Sequence, residues 1–248
     1  MEADLGYAET LELLERLGPL ASGLVLVGGQ AVNFWVQTYL SRSHALLAEV
    51  PFTSKDVDFC GSARAAQLCA RALGGTCNVP RLDDVTPCTG IVQYVDQFSR
   101  RLTLDFLGAP FGLDSREVSE MAITFEEQTA RGPLELKVMH PVHVLESRAS
   151  NVNGLPGYRS PNGLKQLRAA VVCAQEFARD LLDDGRIRDV LRLNERVFRF
   201  ATRQHGIGVW LRDGISVFDA VLRDPRLPTA FETVRYPQML RELEQRRA

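Results

Sequence analysis

Two aspartates separated by one residue, Asp56 and Asp58 in TSKDVDF, offer the densest chemistry in this sequence. On an extended chain side chains alternate between faces, so the two carboxylates project together while Val57 and Phe59 turn the other way and can be buried. Carboxylates held side by side repel one another unless a cation lies between them, and a divalent metal ion is the usual answer. Upstream, Gly28-Gly29 follows the apolar run LVLV and precedes a helical pattern that opens near Gln30. Backbone N–H groups at such a helix start attract phosphate. A third acid, Asp105, stands in RLTLDFL, where Leu102, Leu104 and Phe106 share one face and Thr103, Asp105 and Leu107 the other. A phosphate cradle beside metal-binding carboxylates points to nucleotide chemistry.

The elements that would position these groups follow from periodicity. Leu24 to Val27 reads as a short buried strand, and Asp56 and Asp58 sit on a second strand. Leu11, Leu13, Leu14 and Leu17 fall at helical spacing and end at Gly18-Pro19. After the glycines, Ala31, Val32, Phe34, Trp35, Tyr39 and Leu40 form a broad apolar stripe. Residues 41–54 read as a loop. Gly61 to Leu73 reads as a helix capped by Ser62 and closed by Gly74-Gly75. Residues 76–139 change to strands, with GIVQYVD, RLTLDFL, AITFEEQT and LELKVMH in turn. HPVHVLESRASNV then reads as a helix opened by Pro141, NGLPGYRSPNG as a turn-rich connection, and Gly163–Leu182 and Ile187–His205 as long amphipathic helices. The composition divides the chain into an α/β domain over 1–139 and a helical domain over 140–248.

At 248 residues and 45% hydrophobic, the chain can bury a sizeable core. A net charge of -2 argues against a nonspecific, strongly basic nucleic-acid binder. Residues 179–248 nevertheless hold 14 Arg against 11 Asp and Glu, so the helical end is mildly basic. The five cysteines are odd in number and lack a C-x-x-C pair, which fits neither a zinc site nor a disulfide framework and suggests reduced thiols in the cytoplasm. The acidic start MEADLGYAET has no apolar signal core, and no apolar run approaches the roughly 20 residues needed to cross a bilayer.

The paired glycines, the D-x-D strand and the isolated strand aspartate, in that order, resemble the DNA polymerase β-like nucleotidyltransferase superfamily. Within it, GGQA, TSKDVDF and HPVHVLESRASNV look most like the bacterial AbiEii-type nucleotidyltransferases, over residues 24 to about 170. The resemblance implies an α+β fold: a mixed sheet with flanking helices, followed by an all-helical C-terminal domain, with a cleft between them. It also implies that Asp56, Asp58 and Asp105 hold Mg²⁺, two ions being expected, and that Asp105 helps deprotonate the attacking hydroxyl. Gly28, Gly29 and Gln30 would contact the triphosphate, with Lys55 and Arg148 neutralising its charge. The expected reaction transfers NMP from an NTP such as ATP to a hydroxyl acceptor, with RNA or tRNA as the toxin-like acceptor and a cognate antitoxin protein as partner. Such proteins usually carry Lys where this chain has Arg148, and a further acidic motif that is not found in YRSPNGLKQL.

Two alternatives stand beside this expectation. One is nucleotide transfer to a small hydroxylated molecule of the aminoglycoside kind, which calls for an acidic pocket where an RNA enzyme calls for a continuous Arg-lined face. The other is a noncatalytic nucleotide-binding or protein-interaction module with the same fold. Plainer accounts also exist for single residues: a solvated Lys55, a structural partner for Arg148, and His140 and His143 as a cap and a packing residue.

Overall fold

The computed structural model describes residues 5–48, 51–81, 83–129 and 132–247. Helix α1 (Tyr7–Leu17) buries Leu13, Leu14 and Leu17, and a 3-10 turn over Gly18–Gly23 leads into β1 (Val25–Val27), every residue of which is buried. Helix α2 (Gly28–Tyr39) starts directly on the first glycine, two residues earlier than the periodicity places it. The expected loop over 41–54 contains one short helical turn, α3 (His44–Leu47). Strand β2 (Val57–Cys60) alternates buried Val57 and Phe59 with half-buried Asp58 and Cys60. Asp56 therefore lies just ahead of the strand rather than within it. Helix α4 (Ala63–Leu73) is capped as expected: Ser62 Oγ accepts the Ala65 N–H, and Gly74 closes the helix at φ +66.

Strands β3 (Thr76–Asn78), β4 (Cys88–Val95), β5 (Arg101–Leu107), β6 (Ile123–Thr129) and β7 (Gly132–Val138) complete a seven-stranded sheet in the order β3-β4-β5-β2-β1-β7-β6. It is mixed: β2 runs parallel to β5 and β1 parallel to β7, while the remaining pairs are antiparallel. The order places β1, which leads into the glycines, beside β2 and β5, which carry Asp58 and Asp105, at the centre. Short helix α5 (Ser115–Met121) leads into β6, capped by Asp114, which accepts the N–H groups of Arg116 and Glu117.

The rest is helical: α6 (Pro141–Gly154), α7 (Pro161–Asp183), α8 (Ile187–Ala201), α9 (Gln204–Asp213) and α10 (Tyr236–Arg247). The stretch expected as one helix from Ile187 to His205 thus breaks after Ala201, where Thr202 and Arg203 leave the helix and α9 restarts at Gln204. His140 caps α6, its Nδ1 accepting the Val142 N–H, and His143 is fully buried. One hydrophobic core runs through both halves of the chain. Its centre is Trp35, whose ring packs 5.9 Å from Tyr39, 5.2 Å from Phe125 and 5.7 Å from Phe177, and whose Nε1 donates to Met139 O at 2.9 Å. Such aromatic pairs contribute roughly 0.5–1.5 kcal/mol each beyond the area they bury, so this node joins α2, β6 and α7 firmly. No helix among the described residues is long and apolar enough to cross a membrane.

Candidate functional site

Register brings the acids together. Val27 faces Asp58 across the antiparallel β1–β2 pair, and Asp58 faces Asp105 across the parallel β2–β5 pair. Directly opposed residues on neighbouring strands share a face, so Asp58 and Asp105 project from the same side of the sheet. The buried partners Leu102, Leu104 and Phe106 hold β5 by its other face. Asp56, Asp58, Asp105, Gly29, Lys55 and Arg148 line one cavity of about 550 Å³.

Gly28 stands behind the acids and is required twice over. Its φ is +66, a region that disfavours L side chains, and a Cβ there would overlap the Asp58 carboxylate. At Gly29 an added Cβ would come within 2.7 Å of Ser54 Oγ and 3.0 Å of Gln166 Nε2. The glycine pair therefore lets the start of α2 press against the carboxylates, and the Gly29 N–H donates to Asp58. Gln30 departs from the expectation. Its side chain is buried, Nε2 donating to Leu5 O at 3.1 Å and Oε1 accepting from Asn33 Nδ2 at 2.8 Å. It gives the cavity no side-chain ligand, because position three of the helix points into the core. Leu5 in turn pairs with Ser54 through two backbone hydrogen bonds of 2.8 and 3.0 Å, fixing the segment that leads to Asp56.

The electrostatics are strained in one direction. Burial pushes the Asp58 carboxyl up to about 7; Arg148 and the Gly29 N–H pull it down, while Asp105 and Asp56 push it further up. Burial, then the nearby Asp56, likewise holds Asp105 above the ordinary carboxylate range. Asp105 Oδ1 is buried with no hydrogen-bond partner. Arg148 is buried, and burial lowers its pKa against the pull of Asp58. Its Nη1 donates to Gln166 Oε1 at 3.2 Å and its Nε has no partner. Within this cavity, Asp105 Oδ1 and Arg148 Nε are thus left without hydrogen-bond partners.

The lining also includes residues outside the sequence-based expectation, among them Tyr158, Ser160, Asn162 and Gln166 from the α6–α7 connection and the first turns of α7. The Tyr158 ring lies 5.8 Å from the Arg148 guanidinium carbon and is 47% exposed, at the lip of the cavity. Its turn is tied down by the next residue, Arg159, which donates to Asp213 Oδ1 at 2.8 Å and to Arg212 O at 3.2 Å. The signal available in the sequence was polar density: YRSPNGLKQ concentrates hydroxyl, amide and aromatic groups around Ser160, which accepts the Gly163 N–H as the N-cap of α7.

A second polar cluster lies on the opposite face of α6. Residues two apart on a helix point about 200° away from each other, so Glu146 looks away from Arg148. Arg196 of α8 holds Glu146 in a fork, Nε to Oε1 at 2.8 Å and Nη2 to Oε2 at 2.7 Å, and its Nη1 also reaches Glu117. The hydrogen bond from Arg196 holds Glu117 below the usual carboxylate range, whereas burial holds Glu146 above it.

Among the described residues, no three His, Cys, Asp or Glu side chains form a ready-made metal cage. The donor set around the three aspartates still fits Mg²⁺, which prefers hard oxygen ligands and takes one or two carboxylates plus substrate phosphates rather than a full protein cage. The orphaned Asp105 Oδ1 is the atom that fits such a role. No protein-family model matches the chain, and no curated protein matches it either.

Proposed function

We propose that this chain is a Mg²⁺-dependent nucleotidyltransferase of the DNA polymerase β-like, AbiEii-type kind, moving NMP from an NTP to a hydroxyl acceptor. The observation that carries the proposal is the convergence, in one cavity, of Asp58 and Asp105 at matched register, Asp56 beside them, the glycine-started helix and an underpaired Arg148. Asp56, Asp58 and Asp105 are the residues that would hold Mg²⁺, and when bound the metal would supply charge neutralisation and alignment for in-line displacement at the α-phosphorus. Arg148 neutralises phosphate oxygens, with its guanidinium fork suited to two at once. Lys55, exposed on the cavity wall, adds a second positive charge at the triphosphate. Backbone N–H groups at the start of α2 hold the anion from the other side. The Asp105 carboxylate accepts the proton of the acceptor hydroxyl, through an oxygen not engaged by the metal, as the new O–P bond forms, and pyrophosphate departs as the bond between the α-phosphorus and its bridging oxygen breaks. Tyr158 offers the cavity its one aromatic face among the described lining residues, a surface for the nucleobase.

RNA, tRNA included, is the acceptor suggested by the resemblance, as is a neutralising antitoxin protein. A small hydroxylated cation is favoured instead by one observation: three aspartates outnumber Lys55 and Arg148 on the cavity wall. Labelled ATP, CTP, GTP and UTP with Mg²⁺, offered total RNA in one arm and aminoglycosides in the other, test both. Asp58→Ala is expected to abolish label transfer while the protein melts no lower than the wild type; unchanged transfer refutes the assignment. Nucleotide binding without transfer to any acceptor would instead identify a noncatalytic nucleotide-binding module.

A further inference from the structure

A separate cavity of about 510 Å³ opens where the sheet meets the helical half, between the end of α5, the start of α6, and α7 and α8. It shares no lining residue with the aspartate cavity. Its floor is apolar, with Met121, Ile123, Phe177 and Leu193 among the side chains, while its rim carries Arg186, Arg192, Arg196 and Arg199 against the single carboxylate of Asp189. Arg196 is committed to Glu146 and Glu117. Asp189 is shared between Arg186 at 2.9 Å and Arg192 at 3.3 Å, so it cannot neutralise both. Arg199 uses its Nε only on a carbonyl of its own helix. The rim therefore keeps surplus positive charge above an oily floor.

One buried polar group faces the same space. His140 is 9% exposed and lines the cavity, its ring 4.7 Å from that of Phe177. Because its Nδ1 accepts the Val142 N–H, the ring proton sits on Nε2, which has no partner among the described residues. Burial keeps the imidazole neutral, lowering its pKa to about 3. A neutral N–H donor at the bottom and guanidinium forks at the top complement a ligand with an apolar body and an anionic head.

We propose that this junction cavity binds a small amphipathic anion, an aliphatic or aromatic body ending in a carboxylate, with the body against Phe177 and Leu193 and the head group between Arg192 and its neighbouring arginines. The volume lies in the range of small-molecule sites, which often form between structural units, and Arg forks suit carboxylates. The site stands whether or not the aspartate cavity transfers nucleotides.

Decanoate, acetate and decanol, titrated separately into the full chain below the concentration at which decanoate forms micelles, separate the contributions of body and head. Saturable one-to-one binding of decanoate is expected, with acetate and decanol each weaker by at least roughly tenfold. Arg186→Gln with Arg192→Gln is expected to weaken decanoate by at least roughly tenfold without lowering the melting temperature, since these side chains are 56% and 80% exposed. Asp58→Ala should leave decanoate binding unchanged. The proposal is overturned if decanoate does not saturate, if acetate binds as well as decanoate, or if the double arginine variant binds decanoate like the wild type. Displacement of decanoate by a short oligonucleotide that binds more tightly would also overturn it, making a polyanion the occupant.

Discussion

Arg148 and Glu146 lie two residues apart on α6, yet they live in opposite electrostatic worlds. Glu146 meets a guanidinium that satisfies both its oxygens. Arg148 meets one amide oxygen at 3.2 Å and an aspartate whose own ionisation is suppressed by burial. A buried charge with complete partners holds structure together. One left incomplete, beside an orphaned carboxylate oxygen and a helix start, destabilises the empty protein unless something binds there, and that is the physical signature of a site.

The contrast can be broken most sharply at Arg196. Arg196→Ala strands Glu146 in the interior and should cost about 3–5 kcal/mol in denaturant unfolding, since removing one member of a buried pair leaves the other uncompensated. Gly28→Ala should be the next largest, costing more than about 1 kcal/mol and disturbing nucleotide binding together with stability, because a positive φ and the Asp58 carboxylate both oppose a Cβ. The pH dependence sharpens the same comparison. Asp58 has its folded pKa raised, so its contribution is fully present below the ordinary carboxylate pKa of about 3.9 and is lost as pH climbs through about 7. Glu117 has its pKa lowered by Arg196, so its contribution is present above its ordinary value and lost as pH falls. Melting temperatures of Asp58→Asn and Glu117→Gln across pH should therefore flatten opposite limbs of the wild-type profile. The smallest stability effect is expected at Arg148→Met, within about 1 kcal/mol of wild type, although its affinity for Mg²⁺-NTP should drop. A stability loss as large as that of Arg196→Ala would show Arg148 to be an ordinary structural cation.

The centre of the sheet was legible because its signals are local: alternation in β5, cap residues at Ser62 and Gly74, and consecutive glycines after an apolar run. Asp56 and Asp58 do line one cavity, although Asp56 lies ahead of β2, where strand alternation does not set its direction, and burial of Leu102, Leu104 and Phe106 assigns Asp105 its face. What escaped was nonlocal. That Gln30 turns inward depends on Leu5 O and Asn33, groups whose positions are fixed only by the packed fold. That Tyr158 overhangs the acids depends on Arg159 reaching Asp213, far along the chain. The break after Ala201 was hidden because its flanking residues keep a helical pattern across it.

The pairing of Leu5 with Ser54 makes the first described residues a strap across the wall of the aspartate cavity, and Gln30 is the buckle that holds it. Removing the chain up to and including Leu5 would free the segment before Asp56 even though the aspartates themselves were untouched. A preparation cleaved after Leu5 should therefore be judged by the proposed nucleotide binding rather than by how well it melts.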